Sequence, residues 1–143
     1  RVVLFDAILE SHVTESLARA FRAAGHEVVG YDTNPEVSDV ESVQAMVEAL
    51  QTPRVVWVMV PAGEVTRAVI ADLAERLEPG DLVIDGGNSR FSDDGPNAEL
   101  LGTKGVGYLD CGVSGGIWGL DNGYGLMVGG DAQHVGFVPC RAR

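Results

Sequence analysis

The 143-residue sequence is poor in the residues that build cross-linked or metal-stabilised folds, with two cysteines and three histidines. Cys111 and Cys140 are too few and too unpatterned for a disulfide framework or a zinc site. No apolar run reaches membrane-spanning length, and no signal peptide is visible. The sequence therefore predicts a cytoplasmic protein that binds no metal and does not enter a membrane.

Positive charge is also scarce. Ten lysines and arginines stand against 21 aspartates and glutamates, which gives a formal net charge of -11 at pH 7. A surface of this sign repels nucleic acid and anionic lipid, so we expect neither as a partner. Any phosphate group must be held by backbone amides and a few local cations.

Strand-like apolar runs alternate with helical periodicity along the chain. Alternation of this kind gives a parallel sheet with right-handed crossovers. The predicted fold class is α/β, a Rossmann-like doubly wound and mostly parallel sheet over residues 1–130, followed by an irregular tail over residues 131–143. Strands are predicted at residues 2–5, 27–31, 54–60, 82–84, 108–111 and 124–128, and helices at residues 12–24, 64–77 and 91–104 and behind a capping box at residues 38–41.

One apolar run ends abruptly in Asp85-Gly86-Gly87-Asn88-Ser89. In parallel α/β sheets, ligands bind just beyond the carboxyl ends of the strands. The two glycines allow a backbone to approach a ligand closely, and an asparagine side chain can donate and accept hydrogen bonds at once. Taken alone, the segment is also typical of an ordinary strand-to-loop turn.

Four segments resemble the decarboxylating 6-phosphogluconate dehydrogenases: residues 25–32, 53–63, 83–89 and 110–119. The Asp-Gly-Gly-Asn-Ser and Gly-Val-Ser-Gly-Gly runs occur in the family's order and spacing, and Tyr-Asp-x-Asn-Pro is typical of a bacterial branch. The resemblance implies an NAD(P)-binding domain of an oxidoreductase in gluconate metabolism and the pentose phosphate pathway. The family's reaction is the oxidative decarboxylation of 6-phosphogluconate to ribulose 5-phosphate.

The resemblance also implies which residues form the site. An acid at the end of the second strand suits two free ribose hydroxyls and opposes a 2′-phosphate, so Asp32 favours NAD, with NADP still open. Alternatively, Asp32 only caps the following turn, and Gly115 and Gly116 form a packing turn. By position, the cofactor would contact Asp32, Thr33, Asn34, Val60, Pro61, Ala62 and Asn88, and the phosphorylated sugar acid would contact Asn88, Ser114, Gly115 and Gly116. The bends at residues 85–89 and 112–116 are then expected to share one rim.

The sequence departs from the family in two ways. Residues 9–14 contain no glycine where dinucleotide domains place Gly-x-Gly-x-x-Gly, and Glu10 adds a negative charge there. Because those glycines admit the pyrophosphate, we expect weakened affinity for NAD or NADP. The family's catalytic lysine and glutamate, and the helical domain that forms its dimer, lie beyond position 143. No catalytic residue is therefore assigned, and the chain alone is expected to be inactive.

Two other functions stay open on the sequence. The first is a non-catalytic module that keeps the sugar-acid segment and has lost the cofactor, which the glycine-free residues 9–14 favour. The second is a relative in the β-hydroxyacid dehydrogenase group, which shares the architecture. The Gly-Val-Ser-Gly-Gly-Ile-Trp-Gly run, residues 112–119, favours the phosphogluconate family over this second alternative.

Overall fold

The structure is a computed structural model. It describes residues 2–6, 12–115, 118–136 and 138, and within these ranges it describes side chains from residue 14 onward, except for residue 120. Strands and helices alternate in the described chain. The elements are β1 (Val2–Asp6), α1 (His12–Ala23), β2 (Val28–Asp32), α2 (Val43–Glu48), β3 (Val55–Met59), α3 (Glu64–Arg76), β4 (Leu82–Asp85), α4 (Phe91–Gly102), β5 (Gly107–Ser114), α5 (Gly119–Asn122), β6 (Gly125–Gly130) and α6 (Ala132–Val135).

The strands form one sheet in the order β2-β1-β3-β4-β5-β6. The first five strands are parallel, and β6 pairs antiparallel with β5. The chain leaves β1 towards one edge of the sheet and later continues from β3 towards the other. The predicted doubly wound, mostly parallel sheet is therefore confirmed, and its topological switch point lies between β1 and β3.

Each face of the sheet is covered by helices. Trp57, Ile84 and Leu109 pack towards α1, where the rings of Phe21 and Trp57 lie 5.4 Å apart. On the opposite face, the core side chains of β3, β4 and β5 pack against α2, α3 and α4: Val56, Val58, Val83 and Tyr108 against Met46, Ile70, Leu73 and Leu101. Burying one large apolar side chain contributes about 1.5–3 kcal/mol, so these two layers supply most of the favourable free energy of folding.

A buried ion pair joins β3 and β4 at their amino ends. Arg54 Nη1 donates to Asp81 Oδ2 at 2.9 Å, and the backbone N–H of Arg54 donates to Asp81 Oδ1 at 2.7 Å. The side chain of Asp81 is fully buried, and that of Arg54 is 10% exposed. Burial alone would lower the pKa of Arg54, but the hydrogen bond and the charge of Asp81 raise it above its usual value. This pair fixes the edge of the sheet opposite the candidate site.

The stretch after β6 contains α6 in the described chain. The Asp131 carboxylate caps this single helical turn by accepting from the backbone N–H of Gln133 at 3.1 Å. The His134 ring lies over Gly107 so closely that a Cβ there would stand 2.8 Å from it. The division of the chain at residue 130 stays a prediction.

Candidate functional site

The register of the sheet brings the predicted site segments to one edge. Asp6 of β1 stands beside Asp32 of β2 and Met59 of β3, and Asp85 of β4 stands beside Asp110 of β5. The segments that follow β2, β3 and β4 therefore leave the sheet at its carboxyl edge. This is the edge at which open parallel sheets bind ligands.

The end of β2 is held by the side chain of Asp32. The residue is 8% exposed, and its Oδ1 accepts from the backbone N–H of Asn34 at 2.6 Å. Asn34 Oδ1 in turn accepts from the backbone N–H of Glu36 at 3.0 Å. Asp32 thus caps the turn, as the alternative interpretation of the sequence held, and its carboxylate still lies beside the switch point. Thr33 is exposed, and Asn34 is half-buried.

The segment after β3 is a tight connection into α3. Val60 is buried at 2% exposure, whereas Pro61 and Ala62 are exposed. The Thr66 hydroxyl donates to the carbonyl oxygen of Pro61 at 3.0 Å. The segment therefore presents a small apolar surface whose backbone is fixed from the first turn of the helix.

Packing leaves no room for a side chain at Gly86 and little room for one at Gly87, the two glycines after β4. A Cβ on Gly86 would stand 2.2 Å from Trp57 Nε1 and 2.9 Å from Met59 Sδ, and one on Gly87 would stand 3.1 Å from the carbonyl oxygen of Val60. The sequence predicted that these glycines let the backbone approach a ligand closely. It gave no account of their close approach to β3. The signal for it was the bulky Trp57 in an otherwise aliphatic strand.

Asp85 and Asn88 have opposite environments within this loop. Asp85 is 1% exposed, its Oδ1 accepts from the backbone N–H of Gly87 at 3.0 Å, and its Oδ2 has no hydrogen-bond partner among the described residues. Asn88 is exposed. Asp85 therefore shapes the loop from below, while the amide of Asn88 is available to a ligand.

The second predicted bend is mostly strand. β5 continues through Gly112 and Val113 to Ser114, which stands opposite Gly125 of β6. The turn begins only at Gly115, whose φ of +142° suits glycine and whose Cβ would stand 3.0 Å from the Tyr124 ring. Ser114 and Gly115 are exposed, and Gly116 lies outside the described residues. Asn88, in the loop after β4, and Ser114, the last residue of β5, thus both lie past the level of the Asp85–Asp110 pair of these neighbouring parallel strands.

Carboxylates accumulate below this edge, between the sheet and α4. Tyr108 donates its hydroxyl to Asp94 Oδ1 at 3.1 Å. Burial raises the pKa of Asp94 and of Asp110, and each is raised further by neighbouring carboxylates, Asp85 among them. Burial and the same negative charges also raise the pKa of Tyr108. These groups hold their protons more tightly than in water.

A cavity of about 550 Å³ runs along β5 on the same side. It lies between α4, β6 and α6 and includes none of the predicted site residues. Its lining includes Asp94, Gly107, Tyr108, Asp110, Gly129 and His134. The cavity is therefore a feature separate from the predicted site residues at the carboxyl edge.

The described residues fit a dinucleotide at its two ends. Asp32 offers a carboxylate acceptor to ribose hydroxyls, and Pro61 and Ala62 offer exposed apolar contact. Residues 7–11, which follow β1 at the switch point, lie outside the described residues. Thr14, at the position of the third fingerprint glycine, is 5% exposed in the first turn of α1.

Two further features of the described chain concern metal binding and membrane-spanning helices. Its His, Cys, Asp and Glu side chains form no group of three or more that could hold a metal ion. Its helices include none with the length and apolar content needed to cross a membrane.

Sequence comparison identifies relatives along most of the chain. The sequence model of the NAD binding domain of 6-phosphogluconate dehydrogenase matches residues 14–138. An NAD(+)-dependent, decarboxylating 6-phosphogluconate dehydrogenase of Haloferax volcanii is 40% identical over 116 residues, which is 75% of this chain and 38% of the relative. A putative 6-phosphogluconate dehydrogenase of Bacillus subtilis is 34% identical over 127 residues, 82% of this chain and 42% of the relative. The chain thus spans about two fifths of the length of these curated relatives.

Solved structures give the same answer for the fold. A 3-hydroxyisobutyrate dehydrogenase from Mycobacterium tuberculosis, solved with L-serine, matches with a TM-score of 0.82 and 26% identity, over 95% of this chain and 48% of that chain. The 6-phosphogluconate dehydrogenase of Plasmodium falciparum, solved with NADP+ and with 6-phosphogluconate, matches with a TM-score of 0.81 and 25% identity, over 92% of this chain and 31% of that chain. Both are dehydrogenases that contain a domain of this fold. The match over residues 14–138 shows that the chain belongs to the NAD-binding domain family of 6-phosphogluconate dehydrogenase.

Proposed function

We propose that this chain is the nucleotide-binding part of a decarboxylating 6-phosphogluconate dehydrogenase of the pentose phosphate pathway and gluconate metabolism, acting in the cytoplasm. The reaction would be the oxidative decarboxylation of 6-phosphogluconate to ribulose 5-phosphate. One observation carries the proposal. Asn88 follows β4, and Ser114 ends the neighbouring parallel strand β5. Both lie at the edge of the sheet where Asp32 and the segment after β3 also lie.

The cofactor is assigned to the side of this edge next to the switch point. Asp32, Thr33 and Asn34 would face the adenosine ribose, and Val60, Pro61, Ala62 and Asn88 would line the nicotinamide half. A bound NAD(P) would supply the acceptor for the substrate's hydride. Because the Asp32 carboxylate opposes a 2′-phosphate, NAD is the preferred form.

The sugar acid is assigned to the β4 and β5 side of the edge. The exposed amide of Asn88 can accept from a hydroxyl and donate to an oxyanion. The Ser114 hydroxyl and the backbone N–H groups of Gly115 and Gly116 would supply further donors, and the Tyr124 ring lies close to Gly115. The ligand thus meets side chains that the fold leaves exposed.

Turnover requires a proton acceptor for the substrate hydroxyl and a donor for the enediol. Asn88 and Ser114 are not titrating groups near neutral pH and cannot supply them. The 143-residue chain alone is therefore proposed to bind ligands without turning them over, and the family's catalytic lysine and glutamate and its dimer contacts are assigned to the rest of the parent enzyme.

Calorimetric titration of the chain with 6-phosphogluconate, NAD and NADP tests this proposal. Asn88→Ala and Ser114→Ala should each weaken 6-phosphogluconate binding, whereas Gln44→Ala, which removes an exposed amide on α2, should not. Equal affinity in all four proteins would refute the assigned site. A steady rise of reduced-nicotinamide absorbance with the 143-residue chain would refute the proposed inactivity.

The glycine-free residues 9–14 support a second candidate, a sugar-acid-binding module without a cofactor. It predicts 6-phosphogluconate binding with no measurable binding of NAD or NADP. A β-hydroxyacid dehydrogenase relative would instead bind 3-hydroxyisobutyrate in preference to 6-phosphogluconate. The same titrations, extended to 3-hydroxyisobutyrate, therefore separate all three candidates.

A further inference from the structure

Arg90 differs from the other lysine and arginine residues of the described chain. Each of the other lysine and arginine side chains in the described chain contacts a carboxylate oxygen at 2.6 to 3.2 Å: Arg19, Arg22, Arg54, Arg67, Arg76 and Lys104. Arg90 is exposed and has no such contact among the described residues. In a chain of net charge -11, a cation without a carboxylate partner calls for a reason.

The acids nearest to Arg90 in sequence are engaged elsewhere. Asp93 contacts Arg67 at 3.2 Å, Asp94 accepts from the Tyr108 hydroxyl at 3.1 Å, and Asp85 accepts from the backbone N–H of Gly87. Arg67, on a different helix, thus takes the carboxylate that lies one turn from Arg90. The fold therefore gives the Arg90 guanidinium no structural partner among these acids.

Its place in the chain puts the backbone of Arg90 beside the candidate site. Arg90 follows Asn88 by two residues and is the residue from which α4 begins. Two residues span at most about 7 Å, so the backbone of Arg90 lies within that distance of Asn88. An arginine side chain is long, always charged, and presents a planar fork that matches carboxylate and phosphate oxygens.

We propose that Arg90 binds an oxyanion of the sugar acid, its carboxylate or its phosphate, and so helps to select an anionic substrate at the Asn88–Ser114 edge. The inference rests on the proposed function, because a phosphorylated sugar acid is the ligand assigned to that edge. It adds a cation to a site whose other assigned residues are uncharged. The hydrogen bonds of a guanidinium to an anionic oxygen are stronger than those of a neutral donor.

Calorimetric titration of the 143-residue chain tests the assignment. Arg90→Gln should raise the Kd for 6-phosphogluconate roughly threefold to tenfold, between a screened surface pair and a charge-assisted hydrogen bond. Arg90→Lys should recover part of the loss, because a point charge replaces the fork. Lys104→Gln, at the opposite end of α4, removes the same charge and should leave this Kd unchanged.

Parallel titrations with gluconate and glucose 6-phosphate identify the oxyanion. A loss confined to gluconate assigns the carboxylate, and a loss confined to glucose 6-phosphate assigns the phosphate. Equal affinity of Arg90→Gln and wild type for 6-phosphogluconate would overturn the inference and leave the proposed function standing. Equal losses in Arg90→Gln and Lys104→Gln, or a loss confined to NAD, would also overturn it. Absence of 6-phosphogluconate binding by the wild-type chain would overturn the proposed function and this inference together.

Discussion

Replacing Asp81 by asparagine should break the buried ion pair at the amino edge of the sheet. Oδ1 of Asp81 accepts from the Arg54 backbone N–H, and Oδ2 accepts from Arg54 Nη1 and from the Glu78 backbone N–H at 3.0 Å. An amide in either orientation turns its NH2 group towards one of these donors. Removing one partner of a buried pair costs about 3–5 kcal/mol. Because Glu78 Oε1 still contacts Arg54 Nη2 at 3.3 Å, we expect the lower end of this range, which is a large part of the roughly 5–15 kcal/mol typical of a whole domain.

Chemical denaturation at pH 7 measures this loss, and thermal unfolding should show a fall of roughly 10–15 °C. Asp72→Asn is the matched control, because it breaks a half-exposed pair with Arg76 and should cost less than about 1 kcal/mol. A loss from Asp81→Asn no larger than that of the control would refute the reasoning. The double variant Arg54→Met with Asp81→Leu should recover only part of the loss, because it removes the uncompensated charge but leaves the backbone N–H groups of Arg54 and Glu78 without their acceptor.

Three further predictions concern the site and its supports. Gly86→Ala should cost about 1–3 kcal/mol by overpacking against Trp57 and change tryptophan fluorescence, whereas Gly95→Ala, which meets nothing within 4 Å, should be neutral or stabilising in denaturation. Burial raises the pKa of Asp94 in the folded protein. Ionisation of Asp94 therefore destabilises the protein as pH rises through this folded-state pKa. Asp94→Asn should raise stability more at pH 8 than at pH 4 in urea titrations. A variant carrying Leu9→Gly, Ser11→Gly and Thr14→Gly restores the Gly-x-Gly-x-x-Gly run and should lower the Kd for NAD in calorimetry. An unchanged Kd would mean that residues 9–14 do not limit the affinity for NAD.

The sequence was sufficient to predict where most strands and helices lie, because apolar periodicity reports burial directly. Its spacing signals were less reliable where a polar side chain had a partner outside the predicted helix. The predicted capping box at Ser38 is wrong as the start of α2, because Ser38 donates to Val40 and accepts from the Asp32 backbone N–H. The helix begins instead after Ser42, whose hydroxyl accepts from the Ala45 backbone N–H at 3.1 Å.

The length of β5 shows a second kind of limit. The glycines at 112 and 115–116 predicted a bend after Cys111, because isolated glycine disfavours a strand. The structure keeps Gly112 in the strand, since β6 returns antiparallel and pairs Gly112 with Met127. Tertiary pairing thus overrides a local preference, and a single sequence gives no direct signal of that pairing.

Packing and ligand binding make the same demands on several site residues, so a motif alone does not separate them. Asp32 caps its own turn, and Gly86 admits the Trp57 ring, so each has a structural reason to be what it is. Asn88, Ser114 and Arg90 differ, because each is exposed at the carboxyl edge, and the contacts of the described chain give their side chains no comparable task. If the edge binds a sugar acid, substitutions at these three positions should change affinity while leaving stability nearly unchanged, whereas substitution of Gly86 should lower stability first.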